Sequence, residues 1–434
     1  MKRRGILAIA LATVMLALCF TGCAGQPALD PDNPVTLTIW HVYGSQTTSP
    51  LNDAIDVFNN TVGKEKGVII RVELVTDSGK IDEALNAVLT HAPGAQGLPD
   101  LFVAYPRMAE QFEDGTLLDF QDYFTAQELS QYQQDFLSEG YFDGRLLMLP
   151  IAKSSELVFV NKTVFDRFCA ATNVTVDCFA TIEGIMEACN TYYDWSDGGT
   201  MFQINDFYHY FLANMTALDA AFIQDGKINA GSDAFERVFT PVAKAGIYGG
   251  LCVGDGYASD RWKTSEIIAS SGSTAGILYL RDHVTYPDNT TEDIETLVLP
   301  YACLAGSRPT VVQRGGGLFA VKNEDPRKNE AAAIFAKWIA QSQNNLGFVT
   351  ASGYLPVTNE GFDALLDGSV NVENEKYRML YSAVADQYTD GYAFCAPVCR
   401  CGRCPEGLRD ADQIHPLRRP RGICLPCAGR RKRG

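Results

Sequence analysis

Val35-Thr36-Leu37-Thr38-Ile39-Trp40 alternates apolar and polar positions at period two, the pattern of a half-buried strand. From Pro50 to Val62 the period lengthens. Leu51, Ala54, Ile55 and Phe58 recur at helical spacing, with Ser49 placed to cap the start and Gly63 past the end. Val68 to Val75 predicts a second strand, and Lys80 to His91 a second helix with Ile81, Ala84, Leu85, Val88 and Leu89 on one face. Gly97-Leu98-Pro99-Asp100 then introduces a short, continuously apolar strand, Leu101 to Ala104. Strand and helix alternate, which predicts an α/β chain whose sheet is mostly parallel with helices on both faces. Ligands of such sheets sit beyond the carboxyl ends of the strands. That rule selects loops 40–48 and 105–107, which offer Trp40, His41, Tyr43 and Ser45 in one and Tyr105 and Arg107 in the other.

The longest apolar run stands at the start of the chain, Ile6 to Phe20, preceded by Lys2, Arg3 and Arg4 and followed by Thr21-Gly22-Cys23. It is too short for a stable membrane anchor. The pattern resembles a bacterial lipoprotein signal, which implies removal of 1–22, lipidation of Cys23, and a tether over 23–34. A plain secretory signal with Cys23 incidental is the alternative, and both predict export.

Without that segment about 410 of the 434 residues remain, more than one core usually organises, so two domains are expected. Hydrophobic residues make up 46% of the chain, enough for sizeable cores. The formal net charge of -16 argues against a nucleic-acid partner, because phosphate binding needs a basic face. The charge is uneven: the segment 391–434 is strongly basic and Arg-rich, and six of the 13 cysteines lie there.

Several stretches occur in an order that resembles bacterial extracellular solute-binding proteins of ABC importers. They are Trp40-His41, Leu98-Pro99-Asp100-Leu101-Phe102, Gly144 to Pro150 with Val158 to Lys162, Ala269 to Ser273, Gly315 to Val321, Ala331 to Ile339, and Ser352 to Val357. The likeness covers 35–394 and points to the carbohydrate-binding branch, including members that bind glycerol 3-phosphate and its diesters. It implies a two-lobe periplasmic-binding-protein-like fold with a hinge of crossover segments near 149–159 and 296–314, and a third connection after them. One lobe would hold 35–150 and 300–330, the other 151–299 and 331–394. The resemblance also implies a monomer, with a sugar or polyol-phosphate ligand, ABC permease subunits as partners, and no cofactor. The glycerol 3-phosphate binders carry a glutamate in the loop after Trp-His, whereas Val42-Tyr43-Gly44-Ser45-Gln46 has none.

A sugar presents apolar C–H faces and a ring of hydroxyls, so its site needs flat aromatic rings and neutral or charged hydrogen-bonding groups. Trp40, Tyr43 and Tyr105 are candidate platforms in the first lobe; Tyr192, Tyr193, Trp195, Tyr257 and Trp262 are candidates in the second. Core packing is the competing role for each. Trp195 stands out because Asp194 to Gly199 is polar and turn-rich. Ser155 and the hydroxylated stretch with Ser271 and Ser273 could hold ligand hydroxyls or a phosphate, Ser273 alternatively serving as a helix cap. Gly316 permits close backbone approach. Arg314 would pair with an anionic group or with a carboxylate at the hinge. Tyr354 matches a loop tyrosine that the resembling family turns toward its cleft.

A secreted carbohydrate-active enzyme is the rival class. No GxSxG or HExxH occurs, and His41, His91, His209, His283 and His415 have no spacing that joins two on one metal. An uncommitted carboxylate pair stays open in the sequence. In the tail, Cys401-x-x-Cys404 and Cys424-x-x-Cys427 have zinc-ribbon spacing, but Pro-rich, aperiodic surroundings oppose a folded module. The switch to Arg, Cys, Pro and Gly resembles GC-rich DNA translated out of frame; a metal or disulfide module and a basic tail are the alternatives over 395–434. Cys169 and Cys178 are close enough in sequence for a small disulfide loop, and burial as free thiols is equally open.

Overall fold

The period-two segment forms β1 (Val35–His41), buried along one face and, at its carboxyl end, on both. Val35, Leu37 and Ile39 enter one apolar cluster, while Trp40 packs into another with Phe102 and Phe319. The computed structural model describes residues 28–44, 49–253 and 256–396; Cys23, Ser45 and the tail cysteines Cys401, Cys404, Cys424 and Cys427 lie outside them. α1 (Pro50–Asn60) starts on the expected cap, with Ser49 accepting from the Asn52 N–H and Leu51, Ile55 and Phe58 buried. It stops earlier than its spacing predicts. Thr61 leaves helical backbone, and the chain resumes as a short turn, Val62–Lys66, that ends at Gly67 with φ 73°. Gly63 therefore sits inside that turn, where a Cβ would lie 2.6 Å from the Val68 carbonyl oxygen.

β2 (Val68–Val75), α2 (Ser78–Leu89) and β3 (Leu101–Ala104) complete the first α/β run. The second lobe contains β4 (Glu156–Asn161), α3 (Lys162–Ala171), α4 (Ile182–Trp195), β5 (Phe202–Ile204), α5 (Phe207–Ala217), α6 (Asp233–Tyr248), β6 (Leu251–Cys252), β7 (Ala269–Ser273) and β8 (Thr296–Pro300). The chain returns through β9 (Thr310–Val312) to β10 (Gly317–Ala320). It continues through α7 (Pro326–Ala340), α8 (Ser342–Thr350), α9 (Asn359–Leu366), α10 (Glu375–Thr389) and β11 (Ala393–Cys395).

The strand order is β10-β3-β1-β2 in one sheet and β6-β5-β7-β4-β8 in the other. β1 runs parallel to β2 and β3, and β5 runs parallel to β6 and β7. The pairs β3–β10, β4–β7 and β4–β8 are antiparallel, so both sheets are mixed, with two of three pairs parallel in the first and two of four in the second. Each antiparallel pair contains a strand that has just arrived from the other lobe, β4 or β10. The two faces of β4 enter different cores: Leu157 and Phe159 join the cluster that reaches into the first lobe, and Val158 and Val160 join that of the second.

Three segments pass side by side between the lobes, bridged at Leu149–Leu318, Ser154–Arg314 and Lys153–Leu355. The second crossing falls later than expected, because Thr296–Pro300 is a strand within the second sheet. The boundary at 331 also moves. α7 packs on β1 and α8 on α1, with Phe335 edge-on to Phe58 at 5.2 Å, so these helices belong to the first lobe. α10 packs on β8 of the second. It is tied to the first crossing by Gln387, which accepts from the Ser155 hydroxyl and donates to the Glu156 carbonyl. Among the described residues no helix is long and apolar enough to cross a membrane.

Candidate ligand-binding cleft

The crossings floor a cleft of about 550 Å³ between the lobes, within the range of small-molecule sites. From the first lobe come Tyr43 and Gly44 after β1, Thr76, Asp77 and Ser78 after β2, and Tyr105 after β3. All stand at carboxyl ends of strands. The second lobe supplies Asn205 after β5, Ser270 to Ser273 of β7, Tyr257, Asp260, Lys263 and Tyr279, and the hinge supplies Ser154, Arg314, Gly315, Gly316 and Tyr354.

Tyr43, Tyr105, Tyr257, Ser271, Ser273, Arg314, Gly316 and Tyr354 thus all line this one cleft. Tyr43 crosses Tyr354 edge to face at 5.0 Å and Phe348 at 4.9 Å, which fixes both tyrosine rings. Gly316 lies so close to β3 that a Cβ would meet the Ala104 carbonyl oxygen at 2.5 Å. Ser273 does cap, accepting from the Ala275 N–H at 3.2 Å, while its residue also lines the cleft.

Other candidates are placed elsewhere. Trp40 is buried in the core behind β1, and Trp262 is buried with its Nε1 donating to the Arg281 carbonyl. Trp195 ends α4 and packs on Phe168 and Tyr192, outside the cleft wall; its turn-rich surroundings begin only after the helix that positions it. Tyr192 and Tyr193 lie on the same helix and also off the wall. Ser155 is buried in the first crossing on Gln387. His41 does not line the cleft but supports it: its Nε2 pairs with Asn52 Oδ1 at 2.8 Å and its Nδ1 accepts the Tyr43 N–H at 3.2 Å. Burial lowers its pKa to about 4, against a raising contribution from Asn52.

A charge cluster that sequence reasoning missed lies beneath the wall. Arg314 Nη1 donates to Glu156 Oε1 at 2.9 Å, and its Nη2 lies 3.6 Å from Asp206 Oδ2. His209 Nδ1 is 2.8 Å from Asp206 Oδ2 and 3.4 Å from Glu156 Oε1, without the alignment of a hydrogen bond. Burial lowers the Arg314 pKa, but Glu156, Tyr105 and Asp206 outweigh it and the net shift is upward. Burial likewise opposes charge on Asp206, yet His209 and Arg314 hold it below the usual carboxylate range. His209 is raised because Asp206 and Glu156 overcome its burial. The one sequence signal was Glu156 itself, a charge opening an otherwise apolar strand. Among the described residues no group of three or more His, Cys, Asp and Glu side chains is placed to hold a metal ion.

The Tyr43 hydroxyl is buried and has no hydrogen-bond partner. Tyr43→Phe is therefore expected to leave stability unchanged or raise it by about 1 kcal/mol in urea denaturation, since an unsatisfied buried hydroxyl is costly. Calorimetry should show roughly tenfold weaker ligand binding, about one neutral hydrogen bond. Lost stability with unaltered affinity would assign the hydroxyl to the fold instead.

The sequence model of the bacterial extracellular solute-binding proteins matches residues 54–371. No curated protein matches the chain significantly. Among solved structures, the cyclic α-maltosyl-1,6-maltose binding protein of Arthrobacter globiformis superposes with a TM-score of 0.61 at 15% identity, covering 84% of this chain and 89% of its own. UgpB of Mycobacterium tuberculosis in complex with glycerophosphocholine gives 0.61 at 17%, covering 80% and 85%. A Listeria monocytogenes ABC substrate-binding protein in complex with cycloalternan gives 0.62 at 15%, covering 84% and 89%. At these identities the likeness establishes the fold alone.

Proposed function

The chain belongs to the bacterial extracellular solute-binding protein family, and from that premise we propose that it captures a carbohydrate or related polyol outside the cytoplasm and delivers it to an ABC permease. The observation that carries this reading is the wall itself. Tyr43, Tyr105, Tyr257, Tyr279 and Tyr354 bring five rings around one interlobe space that also holds Ser270, Ser271 and Ser273. Rings take the C–H faces of a sugar, and hydroxyls exchange hydrogen bonds with its own. Binding, with no bond made or broken, is the activity this geometry serves.

A ligand touching both walls stabilises the closed arrangement by its differential affinity, and the three crossings are the hinge. Lipidation at Cys23 would keep the receptor, as a monomer, at the membrane beside its permease. A phosphoester ligand is the second reading, favoured by the likeness to the glycerophosphocholine complex and by Arg314 on the wall.

A thermal-shift screen of the purified protein against sugars, alditols and glycerophosphodiesters tests the proposal. A ligand at a hundred times its Kd stabilises the native state by about 2.7 kcal/mol, which raises the melting temperature by a few degrees. Silence across sugars and alditols would overturn the carbohydrate reading.

A further inference from the structure

Among the described residues, every charge on the cleft wall already has a counter-charge within the protein. Arg314 is held by Glu156 at 2.9 Å and flanked by Asp206 at 3.6 Å. Lys263 pairs with Asp260 at 2.8 Å. Asp77 pairs with Lys80 at 3.2 Å and also accepts the Lys80 N–H. What the wall offers a ligand beyond these pairs is neutral: tyrosine and serine hydroxyls, Thr76 and the Asn205 amide.

Arg314 is the buried cation of the wall; its Nη1 and Nη2 face Glu156 and Asp206, while its Nε has no hydrogen-bond partner. Its side chain is only 14% exposed, and two carboxylates stand within 3.6 Å of its guanidinium. An anion arriving there would be pulled by one cation and repelled by two anions in a partly dry site, where such repulsion is weakly screened. His209 offsets part of that excess when protonated, but it is itself spent on the same Asp206 and Glu156. A hydroxyl has no such conflict, since it can accept from Arg314 and donate to a carboxylate in the same cluster.

We infer that the ligand carries no phosphate or carboxylate group, and that Glu156 and Asp206 are specificity-determining residues that withhold Arg314 from anions. This rests on the carbohydrate reading and narrows it to uncharged sugars and polyols. Discrimination here comes from repulsive partners already in place.

Titration calorimetry on the purified full chain tests it with neutral oligosaccharides and alditols in one panel, and glycerol 3-phosphate and glycerophosphocholine in the other. Binding confined to the neutral panel is the expected result. Phosphoester binding by the wild-type protein would overturn the inference and leave solute capture standing, whereas silence in both panels would overturn the carbohydrate reading itself. Glu156→Gln and Asp206→Asn each remove one repelling charge while keeping shape. Folded variants should gain at least about tenfold in affinity for glycerol 3-phosphate, and variants that reject it as the wild type does would overturn the role given to the two carboxylates. If neither variant folds, the two wild-type panels still decide.

Discussion

Lys153→Met should cost the fold about 3–5 kcal/mol in urea denaturation, the usual penalty for stranding one member of a buried ion pair. Lys153 is fully buried in the first crossing, with its Nζ 2.6 Å from Glu139 Oε2 and the Glu139 side chain only 7% exposed. The same ammonium donates to the Gly315 carbonyl of the second crossing at 3.0 Å. Its backbone exchanges hydrogen bonds with Leu355 of the third. One residue thus fastens all three segments of the hinge. Pairing the substitution with Glu139→Leu should recover much of the loss, because an apolar pair removes the stranded carboxylate. A single-variant cost below about 1 kcal/mol would show that the pair contributes little to holding the crossings together.

Acidification should produce the next largest effect, through His41. The folded imidazole donates from Nε2 to Asn52 and accepts at Nδ1 from the Tyr43 N–H, so only the neutral ring fits. Its folded pKa is depressed to about 4 from 6.5, chiefly by burial. The unfolded chain therefore takes up the proton first as pH falls, and stability drains away between about 6.5 and 4. At 1.36 kcal/mol per pH unit the loss approaches about 3 kcal/mol. His209 has the opposite sign. Its raised pKa contributes stability below the unfolded imidazole value that is lost as pH rises through the folded one. The two histidines together place the stability maximum near the imidazole range. His41→Gln should flatten the acid limb of a stability–pH profile; an unchanged limb would remove His41 as its cause. Because His41 holds the Tyr43 backbone, ligand affinity of the folded protein should weaken only as pH falls through about 4, where the folded ring itself takes up a proton.

The α/β run of the first lobe is legible because its apolar positions alternate cleanly, as in β1, and because ligand sites at strand ends follow from topology. Tyr43 and Tyr105 reach the cleft for that reason. Tyr354 comes with the family likeness, and Tyr257, Arg314 and Gly316 come from the side-chain and backbone chemistry that a sugar cleft needs. Trp195 misleads because the polarity of Ser196 to Gly199 belongs to the turn beyond the helix, whereas the ring itself folds back onto Phe168 and Tyr192. Glu156 and Arg314 are 158 positions apart, and Asp206 and His209 lie on a third element, so no local pattern announces their cluster. Asn205 and Tyr279 are equally silent, each sitting in sequence that would serve a core or a turn as well. The lobe to which α7 and α8 belong is hidden for a different reason: an amphipathic helix does not declare which sheet it covers.

β11 has a use beyond closing the described chain. It lies parallel to β9, and the Cys395 carbonyl accepts the Gln313 N–H at 2.8 Å, so the final strand shields the flank of the second crossing. A chain cut before Ala393 would leave Thr310–Val312 with a bare backbone edge, the kind of surface that recruits a strand from another molecule. Self-association, rather than a weakened grip on solute, would be the first symptom of losing that strand.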